Sequence, residues 1–166
     1  MFLYLVQHAE ARKEEVDPSR PLSEKGLEDI KKMASYLSQL NVRVHNIFHS
    51  NKLRAKQTAE ALSGAFKPAK GITEVDGLAP LDAPEIWAER LKDVPEDIML
   101  VGHLPHLSRL ASLLLSGDAN KNIVSFKMAG VVCLKRGEDE TWSMQWMLIP
   151  DMAVGVTGIN AYCDGL

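Results

Sequence analysis

The sequence predicts an α/β fold: a three-layer sandwich with a mostly parallel central sheet, helices on both faces and a C-terminal β hairpin. Three observations lead there. Short apolar runs, FLYLV at 2–6 and IMLV at 98–101, read as strands buried on both faces, as in a parallel sheet. Segments with apolar residues at three- and four-residue spacing alternate with such runs and read as helices packed on the sheet. The last third has β-like segments on either side of a polar turn, RGEDE at 136–140.

In chain order, the strand at 2–6 is followed by a charged, proline-bearing loop at 12–20. Ser23 is the expected N-cap of an amphipathic helix of about 17 residues carrying Leu27, Ile30, Met33, Ala34, Leu37 and Leu40 on one face. Residues 44–48 form the second strand. Ser50 or Asn51 is expected to cap a helix bearing Ala55, Thr58, Ala59, Leu62 and Phe66, with Arg54 one turn in and Pro68 and Gly71 ending it. A short strand at 72–75, a loop at 76–84 and a short helix at 83–91 precede the strand at 97–102. Pro105 opens a helix whose stripe is Leu107, Leu110, Ala111 and Leu114, and Gly117 stops it. Residues 123–126, 129–135 and 142–149 read as β segments, the last two forming the hairpin.

Size and charge narrow the function. With 166 residues the chain suits one domain, 1–166, with ordinary globular proportions of 46% hydrophobic and 25% charged residues. A net charge of −3 argues against general nucleic-acid binding, and no apolar run reaches the ~20 residues of a membrane span. The N-terminal stretch lacks a basic region and a long apolar core, so a cytoplasmic location is expected. Two cysteines, Cys133 and Cys163, make neither a disulfide framework nor a zinc set. The pairs His45/His49 and His103/His106 have spacings reminiscent of metal ligands but no accompanying acidic or cysteine cluster, so no metal and no cofactor are expected.

The predicted strands deliver their chemistry to one place. Ligands of parallel sheets bind beyond the carboxyl ends of the strands. His8 follows the first strand, Ser50 the second and His103 that at 97–102, with Arg54 just inside the helix after Ser50. A neutral imidazole is a competent nucleophile toward phosphorus. Guanidinium and imidazolium donors, with the N–H groups of a helix start, stabilise the oxygens of a phosphoryl group.

Three segments then carry a resemblance. LVQHAEA at 5–11, SNKLRAKQTAEAL at 50–62 and VGHLPHLSRLASLL at 101–114 resemble the ordered motifs of the histidine phosphatase (phosphoglycerate mutase-like) superfamily. The short length, the loop DPSRPLSEKG at 17–26, the HLP tripeptide and the late hairpin are similar to its SixA-type phosphohistidine phosphatases, over residues 1 to about 150. Residues 151–166 match no motif. The resemblance implies that His8 is a transiently phosphorylated nucleophile, with Arg54 and His103 holding the phosphoryl group; Arg20 is expected to lean into the pocket from the 12–22 loop and offset the loss of charge at position 7, and Ser50, first an N-cap, is a secondary phosphate contact. It implies a metal-independent hydrolase acting on phosphohistidine in a partner protein; a small phosphomonoester or nucleotide is the alternative substrate.

Two departures stand out. Position 7, an arginine in the matched motif, is Gln7 here. A neutral hydrogen bond is worth about 1 kcal/mol against about 1.5–3 for a charged one, a difference of roughly tenfold in rate. This supports a third reading, a phosphate- or phosphoprotein-binding module with weak catalysis. The expected general acid also lacks a matched position. Glu74, Asp76 and Asp82 are candidates, with Asp82 preferred. Phosphohistidine depends less on such an acid, because its N–P bond is labile once the imidazole is protonated.

Overall fold

The structure, a computed structural model, describes residues 1–153. Within these residues six strands form one open sheet in the order β3-β2-β4-β1-β5-β6. The strands are β1 (Phe2–Gln7), β2 (Asn46–His49), β3 (Ile72–Glu74), β4 (Ile98–Gly102), β5 (Val131–Arg136) and β6 (Trp142–Leu148). The four helices are α1 (Glu24–Ser38), α2 (Leu53–Phe66), α3 (Pro84–Arg90) and α4 (His106–Ser116). β1, β2, β3 and β4 are mutually parallel, β5 pairs antiparallel with β1, and β6 pairs antiparallel with β5 to form the late hairpin. The predicted α/β sandwich is therefore the observed one.

Alternation along β1 sorts the core into two layers. Tyr4 and Val6 join Ile30, Met33 and Leu37 of α1 and Ala55, Ala59 and Leu62 of α2 on one face. Leu3 and Leu5 join Trp87 of α3 and Leu107, Leu110 and Ala111 of α4 on the other. Because side chains alternate with period two, a wholly apolar strand requires two apolar layers, and the helices supply them. Each fully buried aliphatic side chain here contributes about 1.5–3 kcal/mol relative to exposure.

Some boundaries differ from the sequence expectation. α1 has 15 residues, capped as expected by the Ser23 side chain, which accepts from Gly26 N–H at 3.0 Å. Neither Ser50 nor Asn51 caps α2: its N-cap is Lys52, without a side-chain cap bond. Arg54 is accordingly the second residue of α2 rather than a turn inside it. Lys67, in the left-handed conformation at φ 44°, ends that helix one residue before Pro68. Residues 123–126 are not a strand. Val124 and Phe126 are buried against α4 and the sheet, which mimics strand alternation, but Ile123 N–H donates to Ser112 Oγ of α4 at 3.0 Å and no strand lies alongside. The segment lies across a helix, where alternation can occur without a ladder.

The loop between β1 and α1 is pressed onto the helix start. Ser23 N–H donates to the Glu10 carbonyl at 2.9 Å, and a Cβ at Gly26 would stand 2.0 Å from that same oxygen. Alanine gains up to about 1 kcal/mol of helix propensity over glycine. Overpacking against backbone costs about 1–3 kcal/mol. We expect Gly26→Ala to lower the unfolding free energy in urea despite its higher propensity; an unchanged or raised midpoint would show that the Glu10 turn moves aside freely.

Candidate active site

The parallel register places three strand ends at one level. Gln7 of β1 lies opposite Gly102 of β4, and His49 of β2 opposite Val101. The pairing continues past the strands, with His8 N–H donating to the Gly102 carbonyl at 3.1 Å and Ser50 N–H to the Val101 carbonyl at 3.3 Å. His8, Ser50 and His103 therefore leave the sheet side by side, with His8 and His103 ring centroids 4.9 Å apart and inclined at 53°.

Each imidazole is held by one nitrogen. His8 Nδ1–H donates to the Ala9 carbonyl at 2.7 Å, which leaves Nε2 with its lone pair. His103 Nε2 stands 2.6 Å from Ser50 Oγ. Ser50 Oγ also accepts from Lys52 N–H at 3.4 Å; when its own proton points to His103 Nε2, the ring proton of His103 falls on Nδ1. That Nδ1 is buried and has no partner, as is Nε of Arg54. Two donors without acceptors beside a free imidazole nitrogen are a match for an oxyanion.

Burial sets the charge state. His8 is 8% exposed and His103 2%. Burial, aided by the charges of Arg54 and Arg20, pushes His8 down to about 4 despite its bond to Ala9. Burial, with His8, Arg54, Lys52 and His106 nearby, pushes His103 down to about 3. Burial also lowers Arg54, followed by the charge of Arg20. The site thus offers two neutral imidazoles among the cations Arg54, Arg20 and Lys52.

Supporting bonds tie the elements together. Thr58 Oγ1 of α2 donates to the Arg54 carbonyl at 2.7 Å and accepts from Ala9 N–H at 3.0 Å, which links the arginine's helix to the chain just after His8. Gln57 Oε1 accepts from Leu22 N–H at 2.8 Å and holds the 12–22 loop against the same helix. Within that loop Arg20 has φ 49°, its Nε donates to the Arg12 carbonyl at 3.2 Å, and its charge reaches both His8 and Arg54. Gln7 is buried at the end of β1, its Oε1 without a partner.

Glu74, Asp76 and Asp82 line one cleft of about 480 Å³ together with Ser50 and Asn51. Asp76 pairs with Arg90 at 2.8 Å, and Asp82 Oδ2 accepts from Ala79 N–H at 2.8 Å. Glu74 lies opposite His49 at the same strand-end level. His106 is wholly buried, with neither ring nitrogen partnered. Among the described residues no three His, Cys, Asp or Glu side chains group as a metal site, and no helix is long and apolar enough to cross a membrane.

Two features escaped the sequence. Ser50 supports His103 rather than capping a helix, a contact across 53 residues that no local spacing encodes. Thr58 packs and orients the helix of Arg54 as its place on that helix suggests, but its bond to Ala9 N–H, across 49 residues, is likewise encoded by no local spacing.

The chain is similar in sequence and fold to known proteins. The model of the "Histidine phosphatase superfamily (branch 1)" matches residues 3–99. An uncharacterized protein of Picosynechococcus sp. is 35% identical over 145 residues, covering 82% of this chain and 86% of its own. The phosphohistidine phosphatase SixA of Escherichia coli is 21% identical over 155 residues, covering 90% and 94%. Among solved structures, the protein histidine phosphatase SixA complexed with tungstate superposes with a TM-score of 0.79 at 21% identity, covering 91% of this chain and 98% of that one. The α-ribazole phosphatase of Shigella flexneri superposes with a TM-score of 0.74 at 16% identity, covering 95% and 100%. At these identities the superpositions establish a shared fold.

The burial of the two imidazoles has a measurable consequence. A free histidine takes its proton near pH 6.5. Between that value and the folded ones, about 4 for His8 and about 3 for His103, the unfolded chain binds more protons than the folded one. Stability is therefore full above about pH 6.5 and declines as pH falls through the window below it. NMR titration of the ring resonances is expected to show both neutral at pH 6, and denaturant midpoints are expected to drop on acidification. Midpoints that hold steady down to about pH 4, or imidazoles titrating at the free value, would contradict the burial account.

Proposed function

The chain belongs to branch 1 of the histidine phosphatase superfamily, and on that premise we propose that it is a phosphatase that dephosphorylates phosphohistidine in a partner protein through a phosphorylated His8. One observation carries the reading: His8 has its Nδ1 tied to the Ala9 carbonyl and its neutral Nε2 beside two unsatisfied donors, His103 Nδ1 and Arg54 Nε.

His8 Nε2 attacks phosphorus, forming a new N–P bond as the bond to the leaving group breaks. Arg54 and the His103 Nδ1–H bear the charge on the phosphoryl oxygens, supported by the N–H groups at the start of α2 and by Arg20. Positioning and charge stabilisation are most of what phosphoryl transfer requires. The leaving imidazole departs with a proton. Water then attacks phospho-His8, the His8–phosphorus bond breaks, and inorganic phosphate leaves. Side chains and N–H groups supply the positive charge, so the proposed reaction needs no metal.

The carboxylates of the neighbouring cleft bear on substrate class. Asp76 is engaged by Arg90 and one oxygen of Asp82 by Ala79 N–H, so two of the three acids are partly committed to structure. Imidazole leaves more readily than an alcohol without a dedicated acid, which favours phosphohistidine. A small phosphomonoester is the second reading, favoured by the fold shared with α-ribazole phosphatase and by Glu74 standing level with the strand ends.

Rapid-quench reaction with labelled phosphoramidate is expected to leave acid-labile, base-stable label on the protein. His8→Ala should abolish both label and turnover. Arg54→Ala should lower turnover about 10²–10³-fold, the effect of removing one oxyanion donor. Label that persists in His8→Ala rejects His8 as nucleophile. In a substrate panel, phosphoramidate or a phosphohistidine protein is expected to exceed p-nitrophenyl phosphate in kcat/KM; the reverse order selects the phosphomonoester reading. Turnover should survive EDTA, and its loss there would reject the side-chain-only mechanism.

A further inference from the structure

Gln7 occupies the point where the phosphoryl site meets the sheet. It ends β1, stands opposite Gly102 and so lies level with His8 and His103. It is 7% exposed, and its Oε1 is covered without a hydrogen-bond partner. A carboxamide has a donor end and an acceptor end, whereas a guanidinium has donors only. A fully ionised phosphoryl group is acceptor-only and can satisfy just the donor end. A phosphoryl group that keeps one proton presents a P–O–H, which can satisfy the acceptor.

The preference comes from hydrogen-bond matching at Gln7, within a site that is cationic as a whole. The ionisable groups around the two imidazoles level with Gln7 are Arg20 of the 12–22 loop and Lys52 and Arg54 at the start of α2. Behind His103 lies His106 of α4, which feels the carboxylate of Asp82 and the guanidinium of Arg109. Of these, Arg54 is the cation with a buried, unpartnered donor, and burial keeps the imidazoles neutral.

We propose that Gln7 makes this site selective for the singly protonated phosphoryl group, whose P–O–H donates to Gln7 Oε1 while its charged oxygens take Arg54 and His103. This rests on the phosphatase reading above and goes beyond it by naming the protonation state of the group bound. The amide turns about its terminal torsion to meet the ligand, a rotation that needs no backbone change.

The test is the affinity of inorganic phosphate by isothermal titration at constant ionic strength, at about pH 5.5 and about pH 8.5, for the wild type, Gln7→Met and Gln7→Arg. The wild type is expected to bind at least about tenfold more tightly at the lower pH, where the monoanion predominates. Gln7→Met keeps the size and neutrality of the side chain but loses the acceptor, and most of that preference should go with it. Gln7→Arg, if it folds, should shift the balance toward the higher pH. Equal pH ratios for the wild type and Gln7→Met would overturn the proposal, as would tighter wild-type binding at the higher pH or no phosphate binding at either pH. Labelling of His8 keeps the two claims apart: label without the pH effect rejects the role of Gln7 alone, and absence of label rejects the phosphatase reading.

Discussion

The in-register parallel pairing of β1, β4 and β2 is the constraint on which the site depends. Gln7 opposite Gly102 and His49 opposite Val101 bring three chain segments out of the sheet at one level. Slipping one strand by a single residue would turn its side chains to the other face. It would then drive Tyr4 and Val6, or Leu3 and Leu5, into the wrong apolar layer. The apolar core therefore enforces the register, and the register places the imidazoles. The polar groups themselves need no energetic preference for each other to meet.

That placement has an electrostatic cost that the fold carries elsewhere. His8 and His103 are buried beside Arg54, so both are held neutral, and several of their neighbours' hydrogen-bonding atoms lack partners. Unpaired buried donors are destabilising, and a site that retains them gains by binding an anion. Ser50 and Ala9 limit the disorder by fixing one nitrogen of each ring. Thr58 makes α2 and the chain after β1 move together, so the nucleophile and the guanidinium share a frame.

Much of this was legible from the residues alone. The apolar runs at 2–6 and 98–101 declared strands because burial on both faces leaves no polar alternation, and Ser23 declared α1 because its hydroxyl does locally what a cap must do. His8, Arg54 and His103 followed from the rule that parallel strands present ligands at their carboxyl ends. Ser50 misled because a serine before a helix can accept from the helix N–H groups or turn its hydroxyl to another partner, and only the assembled sheet brings His103 within 2.6 Å. Residues 123–126 misled because alternating burial arises on a helix surface as well as in a ladder. What could not be read was what depends on distant contacts: which polar atoms are left unpaired, and which acid in the Glu74–Asp82 region is committed to structure.

The two borders of the sheet have a further meaning for the protein's behaviour at high concentration. β6 pairs with β5 through an offset at Cys133/Leu134 that steps from Trp146 to Met144 and leaves Gln145 outside the ladder. At the opposite border β3 has only three residues. A kinked strand and a very short one are both inferior templates for intermolecular strand addition. Among the described residues, then, the offset facing β6 and the shortness of β3 make each rim a poorer template for a second copy than a long, regular border strand would be.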